Sequence, residues 1–160
     1  MSHPFDLQEF IHFLVQAKRS TYASGANDTS PILPASSQFE YTKSPFFYRD
    51  IYFGSSRFTG QEIVYYQEKP VWSMNYYGGI TSQIKDLNEI SKIYRILKEA
   101  LQLVDENAPF RGPKQWIKGQ HLYSNHYQGD IESFHGSEHM KCMCTGISIY
   151  SLHYHGGFLK

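Results

Sequence analysis

Two stretches of the chain repeat one spacing of aromatics, glycines and an acid, and this repetition narrows the available folds more than any other feature. In the first stretch Tyr48 is followed by Tyr52, Gly54, Phe58, Gly60 and Glu62. In the second, Tyr123 is followed by Tyr127, Gly129, Phe134, Gly136 and Glu138, with one residue inserted before Phe134. Further on, Trp72-Ser73-Met74-Asn75-Tyr76-Tyr77-Gly78-Gly79-Ile80 matches Tyr150-Ser151-Leu152-His153-Tyr154-His155-Gly156-Gly157-Phe158, so both stretches end in Tyr-x-Gly-Gly. The pattern predicts a single α+β domain over 1–160, internally duplicated into halves of about 5–80 and about 88–160. Each half is expected to be a helix followed by an antiparallel meander. The two would be related by a pseudo-two-fold axis, with both helices packed on the sheet. A three-stranded half has little stability alone, so the halves are expected to abut or to share one sheet.

Each half opens on a helical pattern. Leu7, Phe10, Ile11, Leu14, Val15 and Lys18 fall on one face, and Asp6 with Glu9 forms a capping box. Gly25 is the expected stop, and the turn-forming residues 24–37 read as a loop. A second helix is predicted over 88–105, with Ile90, Ile93, Leu97, Ala100, Leu101 and Val104 inward; Asn107, Pro109, Gly112 and Pro113 close it. Short aromatic and β-branched runs at 46–53, 62–66 and 71–77 read as strands, and three more lie near 121–128, 138–142 and 147–155.

With 13 Tyr, 11 Phe and 2 Trp, the chain needs many half-buried strand positions or a ligand cleft to house its rings. Fifteen basic residues balance fifteen acidic ones without a basic stripe, which argues against nucleic acid and anionic membranes as partners. The N-terminal residues lack the basic and apolar regions of a signal peptide, and no apolar run approaches a membrane span. The two cysteines, Cys142 and Cys144, stand too close in an extended strand for an unstrained bridge, so a reducing, cytoplasmic setting is expected.

Several residues carry potential chemistry. Glu62 and Glu138 occupy equivalent places after a glycine turn, where two carboxylates can share acid/base work or serve their own strands structurally. The Gly-Gly elements permit close backbone approach, but no helix start follows them as a phosphate cradle requires. His121, His126, His135, His139, His153 and His155 crowd the second half near Cys142 and Cys144. Their spacing fits no standard metal motif, so no metal and no cofactor is expected, and a structural or surface role is favoured. Arg111, held in Phe110-Arg111-Gly112-Pro113, can fork onto a carboxylate or phosphate, or pair with a core acid. Lys18 lies on the core stripe near Tyr22, where a snorkelling stem is the ordinary explanation.

Taken in combination, Ala17-Lys18, Thr21-Tyr22-Ala23, Tyr48-Arg49-Asp50-x-Tyr52-x-Gly54, Phe58-x-Gly60-x-Glu62-x-Val64-x-Tyr66, Pro70-Val71-Trp72-x-Met74-Asn75-Tyr76-Tyr77-Gly78, Arg111-Gly112-Pro113 and Tyr154-His155-Gly156-Gly157 resemble a bacterial domain family of unknown function. That family occurs free-standing, or fused behind a helix-turn-helix domain in transcriptional regulators. The resemblance implies a bacterial or phage origin and an α+β domain, without a set of catalytic residues. No stretch ahead of the first helix has room for a helix-turn-helix, so direct DNA binding is not expected.

Aromatic excess, pseudo-symmetry and this family analogy together suggest a non-catalytic, sensor-like module that binds an unidentified small molecule. The expected cleft lies between the halves, lined by Tyr48, Tyr52, Glu62, Asn75, Tyr77, Arg111, Glu138 and His155, and leans on the second half. One alternative is a hydrolase-type enzyme using Glu62 and Glu138, or His155, as acid and base. Another is a protein-interaction or assembly module, with exposed sheet edges joining two copies into a homodimer.

Overall fold

A computed structural model of the chain describes residues 3–21 and 29–160. Helix α1 spans Leu7–Ser20 and is capped by Asp6, whose carboxylate accepts the Glu9 backbone N–H at 2.9 Å. Helix α2 spans Leu87–Leu101 and starts by the same device, Asp86 accepting from the Glu89 N–H at 2.8 Å. The predicted α2 pattern ran on to residue 105, but the chain tightens after Leu101. Leu103 N–H bonds to the Ala100 carbonyl and Val104 N–H to that of Leu101, spacing typical of a closing 3₁₀ turn. Val104 stays buried because that turn keeps it on the same face. The expected α1 stop, Gly25, and Tyr22 lie outside the described residues.

Eight strands follow the helical patterns: β1 (Ser37–Lys43), β2 (Phe46–Gly54), β3 (Arg57–Tyr66), β4 (Lys69–Ile80), β5 (Gln115–Lys118), β6 (His121–Asp130), β7 (Ser133–Cys142) and β8 (Ser148–Phe158). They form one antiparallel sheet in the order β1-β2-β3-β4-β8-β7-β6-β5. The architecture is therefore α+β, two helices on an eight-stranded sheet. The first and last four strands join where β4 pairs with β8, from Trp72 opposite Phe158 to Ile80 opposite Tyr150. Each group has four strands rather than the three expected, because the edge strands β1 and β5 escape a pattern search. An edge strand has one neighbour and needs little apolar alternation. Accordingly β1 reads Ser-Gln-Phe-Glu-Tyr-Thr-Lys and β5 has only four residues.

The alternation of side chains sorts the sheet into two faces. Tyr48, Asp50, Glu62, Val64, Trp72, Met74, Tyr76, Tyr123, Asn125, Glu138, Met140, Leu152 and Tyr154 are all buried on one of them. Both helices cover that face: the Phe10 ring sits 5.9 Å from Phe46 and 6.2 Å from Trp72, and Tyr94 of α2 sits 6.1 Å from Phe58 and 6.4 Å from Tyr150. Trp72, fully buried, donates its indole N–H to the Ile131 carbonyl at 3.2 Å. The opposite face carries Tyr77, His126, His135, His153 and His155, all five exposed.

Two glycine positions recur for one reason. The phenol end of Tyr76 lies over Gly60, and that of Tyr154 over Gly136, so that a Cβ at either glycine would run into ring atoms. Removing the side chain lets each tyrosine cross its neighbouring strand and reach the next one.

Candidate functional site

Lys18 is fully buried, which no snorkelling stem explains. Its ammonium donates to Glu62 Oε2 at 2.5 Å and to the Phe110 carbonyl at 2.8 Å. Burial pulls the ammonium below its ordinary pKa while the facing Glu62 carboxylate opposes that shift. Glu62 itself is fully buried, and its Oε1 accepts no hydrogen bond among the described residues.

Arg111 supplies the second buried cation. The turn after α2 sets its guanidinium 3.0 Å from Glu138 Oε2 and 5.8 Å from the centre of the Tyr76 ring. Glu138 also accepts from the Tyr123 hydroxyl at 2.5 Å and the Tyr150 hydroxyl at 3.1 Å. The Tyr123 oxygen in turn accepts the Gly112 N–H at 3.0 Å, which ties the Arg111 turn to β6. Burial first, and the Glu138 carboxylate second, push the Tyr123 and Tyr150 hydroxyls well above the usual phenol range. Both therefore stay protonated as donors.

Asp50 is the third buried carboxyl and sits directly across from Glu62 in the β2–β3 pairing. Lys18 pairs with Glu62 and Arg111 with Glu138, and among the described residues no cation lies within ion-pair distance of Asp50. Its Oδ1 accepts from the Tyr76 hydroxyl at 2.6 Å. Burial, reinforced by the neighbouring Glu62 charge, pushes the Asp50 carboxyl up to about 7, against the opposing pull of the Tyr76 hydrogen bond, Arg111 and Lys18. Its protonation state thus changes near neutral pH.

Asp50 and Arg111 open onto a cavity of about 360 Å³ between the first four strands and α2. Phe39, Tyr52, Phe58, Tyr76 and Tyr94 wall it, Leu97 and Leu101 close its helical side, and Ser37, Ser55 and the exposed Lys98 stand at its rim. Small-molecule sites run from about 300 to 1,000 Å³, with apolar walls and a few converging polar groups. A second depression of similar volume lies outside β6–β8, around Ser124, His126 and His139. It lacks both aromatic walls and a buried charge.

The residues expected to line a cleft divide by strand parity. Tyr52 and Arg111 line the cavity. Glu62, Glu138 and Tyr48 lie fully buried on the same side of the sheet. Asn75, Tyr77 and His155 face the other side: Asn75 accepts from the Gln61 amide at 2.9 Å, Tyr77 is 56% exposed, and His155 is exposed opposite Asn75. Asp50 and Tyr76 also line the cavity although they stand outside the expected set, and Asp50, two residues from Tyr48, shares its inward face. A carboxylate on an inward strand position is the signal that could have found it.

Among the described residues no group of three or more His, Cys, Asp or Glu side chains is placed to hold a metal ion. No described helix is long and apolar enough to cross a membrane.

Comparison with known proteins decides the family. The model of the domain of unknown function DUF5680 matches residues 50–159, more than half of the 160-residue chain. The chain belongs to the DUF5680 family. No curated protein and no solved structure matches it. The DUF5680 match opens on Asp50 and takes in Glu62, Arg111 and Glu138, while Lys18, Ser37 and Phe39 lie ahead of it. The buried acids and the Arg111 turn thus fall inside the DUF5680 span. The helix that supplies Lys18 and the strand that forms one cavity wall fall outside.

Proposed function

We propose that this DUF5680 domain is a sensor-like module that binds a small molecule in the cavity between β1–β4 and α2. We also propose that its two halves are an internal duplication about a pseudo-two-fold axis, with the cavity on one side only. The observation that carries the binding reading is the pairing of five aromatic walls with two buried polar groups, Asp50 and Arg111, in one cavity. Aromatic rings supply contact area at low entropic cost, and the Asp50 carboxyl and Arg111 guanidinium supply orientation. Because Asp50 changes charge near pH 7, it serves as a hydrogen-bond donor or as an acceptor as the ligand requires. The duplication is supported by paired features: Tyr76 over Gly60 and Tyr154 over Gly136, and Asp50 beside Glu62 and Asn125 beside Glu138. The resemblance to bacterial domains carried behind helix-turn-helix segments supports a cytoplasmic signalling role, in which a partner protein reads the ligand.

The test is native mass spectrometry of the protein purified from the cells that make it. A co-purifying mass is expected. Leu97→Trp, which fills the cavity, should lose it, and Tyr77→Ala on the opposite face should keep it. A bound mass indifferent to Leu97→Trp, or none together with no hit from a fragment screen, would sink the reading.

A second reading, a hydrolase-type enzyme, is favoured by Asp50 alone. Glu62 and Glu138 are each closed off by an ion pair and fully buried, and His155 faces away. An acid/base role therefore falls to Asp50, whose raised pKa suits proton transfer at neutral pH. Turnover of a trapped ligand by the wild type but not by Asp50→Asn would separate this reading from simple binding.

A further inference from the structure

The β7–β8 connection places two thiols in contact, and no part of the cavity reading uses them. Cys142 ends β7 and Cys144 lies in the turn that follows, with their sulfurs 2.6 Å apart. In an extended strand the two side chains would stand apart on one face. Here the strand ends at Cys142 and the chain turns back. The Cys142 N–H bonds to the Ile147 carbonyl at 3.0 Å, and the Gly146 N–H bonds to the Cys142 carbonyl at 2.8 Å. Gly146 makes this turn with φ of 70°, a left-handed conformation suited to glycine. The Met143 N–H is held by the Gln120 carbonyl at 2.8 Å, which anchors the turn to the β5–β6 connection. Cys144 is exposed and Cys142 partly so, and they are the chain's two cysteines.

We propose that Cys142 and Cys144 form a surface redox pair that closes an intramolecular disulfide by exchange with low-molecular-weight disulfides. The two thiols divide the work. Hydrogen bonds from Cys144 and Thr145 pull the Cys142 thiol down to about 7, whereas the Cys144 thiol is raised by the same contact. Donors from Thr145 and Cys144 converge on the Cys142 sulfur and Cys144 stands in contact with it, so in this proposal Cys142 is the attacking thiolate and Cys144 the resolving thiol. In the first step the Cys142 thiolate attacks one sulfur of the small disulfide; that S–S bond breaks and one thiolate leaves and takes up a proton. In the second, Cys144 gives up its proton and attacks the Cys142 sulfur, forming the Cys142–Cys144 bond and expelling the second small thiol. The protein loses two electrons and two protons, and the small disulfide is reduced to two thiols. Exposed bridges across short loops are the readily reduced kind, so the pair is expected to respond to the surrounding thiol balance rather than to hold the fold together.

The experiment is an intact-mass titration of the full chain in glutathione buffers of rising oxidised fraction, with free thiols alkylated before measurement. The wild type should pass from two alkylated thiols to none, without a glutathione adduct building up. Cys144→Ser should instead accumulate one stable adduct on Cys142, and Cys142→Ser should form its single adduct on Cys144 more slowly and close no internal bridge. Urea midpoints of both variants within experimental error of wild type will show that the fold is kept. Glutathione adducts on both cysteines of the wild type, or disulfide-linked dimers in place of the internal bridge, would overturn the proposal.

Discussion

The two halves of the sheet repeat one tyrosine-over-glycine contact, which ends on a carboxyl at the cavity in one half and on an amide closed off by the Arg111 turn in the other. In β2–β4 the Tyr76 hydroxyl reaches over Gly60 to Asp50. In β6–β8 the Tyr154 hydroxyl reaches over Gly136 to Asn125, at 2.7 Å. Asn125 is satisfied on both sides, since its amide N–H also donates to the Gly112 carbonyl at 2.9 Å and the Arg111 turn packs against it. Asp50 faces open volume instead of a turn, and among the described residues no cation lies within ion-pair distance of it. The comparison teaches that the second half spends its polar groups on closing the structure, whereas the first half leaves one titratable group for something else.

That contrast can be broken most forcefully at Glu138. Among the described residues three donors converge on it, Arg111 and the hydroxyls of Tyr123 and Tyr150, against one on Glu62. Glu138→Leu removes the buried carboxylate on which these donors converge, and should cost about 3–5 kcal/mol in urea unfolding. Lys18→Met leaves the Glu62 charge uncompensated and should cost nearly as much. The double change Lys18→Met with Glu62→Leu should recover most of that loss, because removing both charges removes the desolvation penalty too.

Exchanging the distinguishing group comes next. Asn125→Asp puts a carboxyl against the Gly112 carbonyl in place of a donor. A loss of about 2–3 kcal/mol at pH 8 is expected, shrinking in acid as the new carboxyl takes a proton. A cost that does not change with pH would show that shape rather than charge sets the second half's preference.

The converse change, Asp50→Asn, should stabilise. The folded-state pKa of Asp50 is raised to about 7 from 3.8, so the folded protein holds a proton that the unfolded chain releases over that interval. Its contribution to stability is complete below about pH 4 and declines as pH rises through about 7, by at most about 1.4 kcal/mol per pH unit. Above neutrality Asp50→Asn should exceed wild type by about 1–2 kcal/mol and should lose this slope. Unfolding curves at pH 5, 6, 7 and 8 measure both; identical slopes would place the titrating group elsewhere.

The smallest effect is expected on the exposed side of the sheet. Tyr77→Ala should change stability by less than about 0.5 kcal/mol and leave ligand binding untouched. A larger effect would show that this face is covered in solution.

The sequence by itself determined both helices, the six inner strands and the repeated spacing. Apolar period and an Asp cap located both helices, because these are local signals carried by residues within one or two turns. The Tyr, Gly and Glu spacing anticipated that Tyr76 and Tyr154, and Glu62 and Glu138, would occupy equivalent places in the two stretches, because strand parity is fixed by counting; that the two acids share a face came from the sheet. Parity also separates Asn75, Tyr77 and His155 from the cavity, yet nothing in their spacing said which parity faced inward. Only the tertiary structure decided that, together with the edge strands β1 and β5, the pairing of Lys18 with Glu62 across 44 positions, and the cavity under α2. The physical reason is one of range. Caps and strand alternation arise between near neighbours, whereas ion pairs, enclosed volume and the raised pKa of Asp50 arise between residues that meet only once the sheet has formed around them.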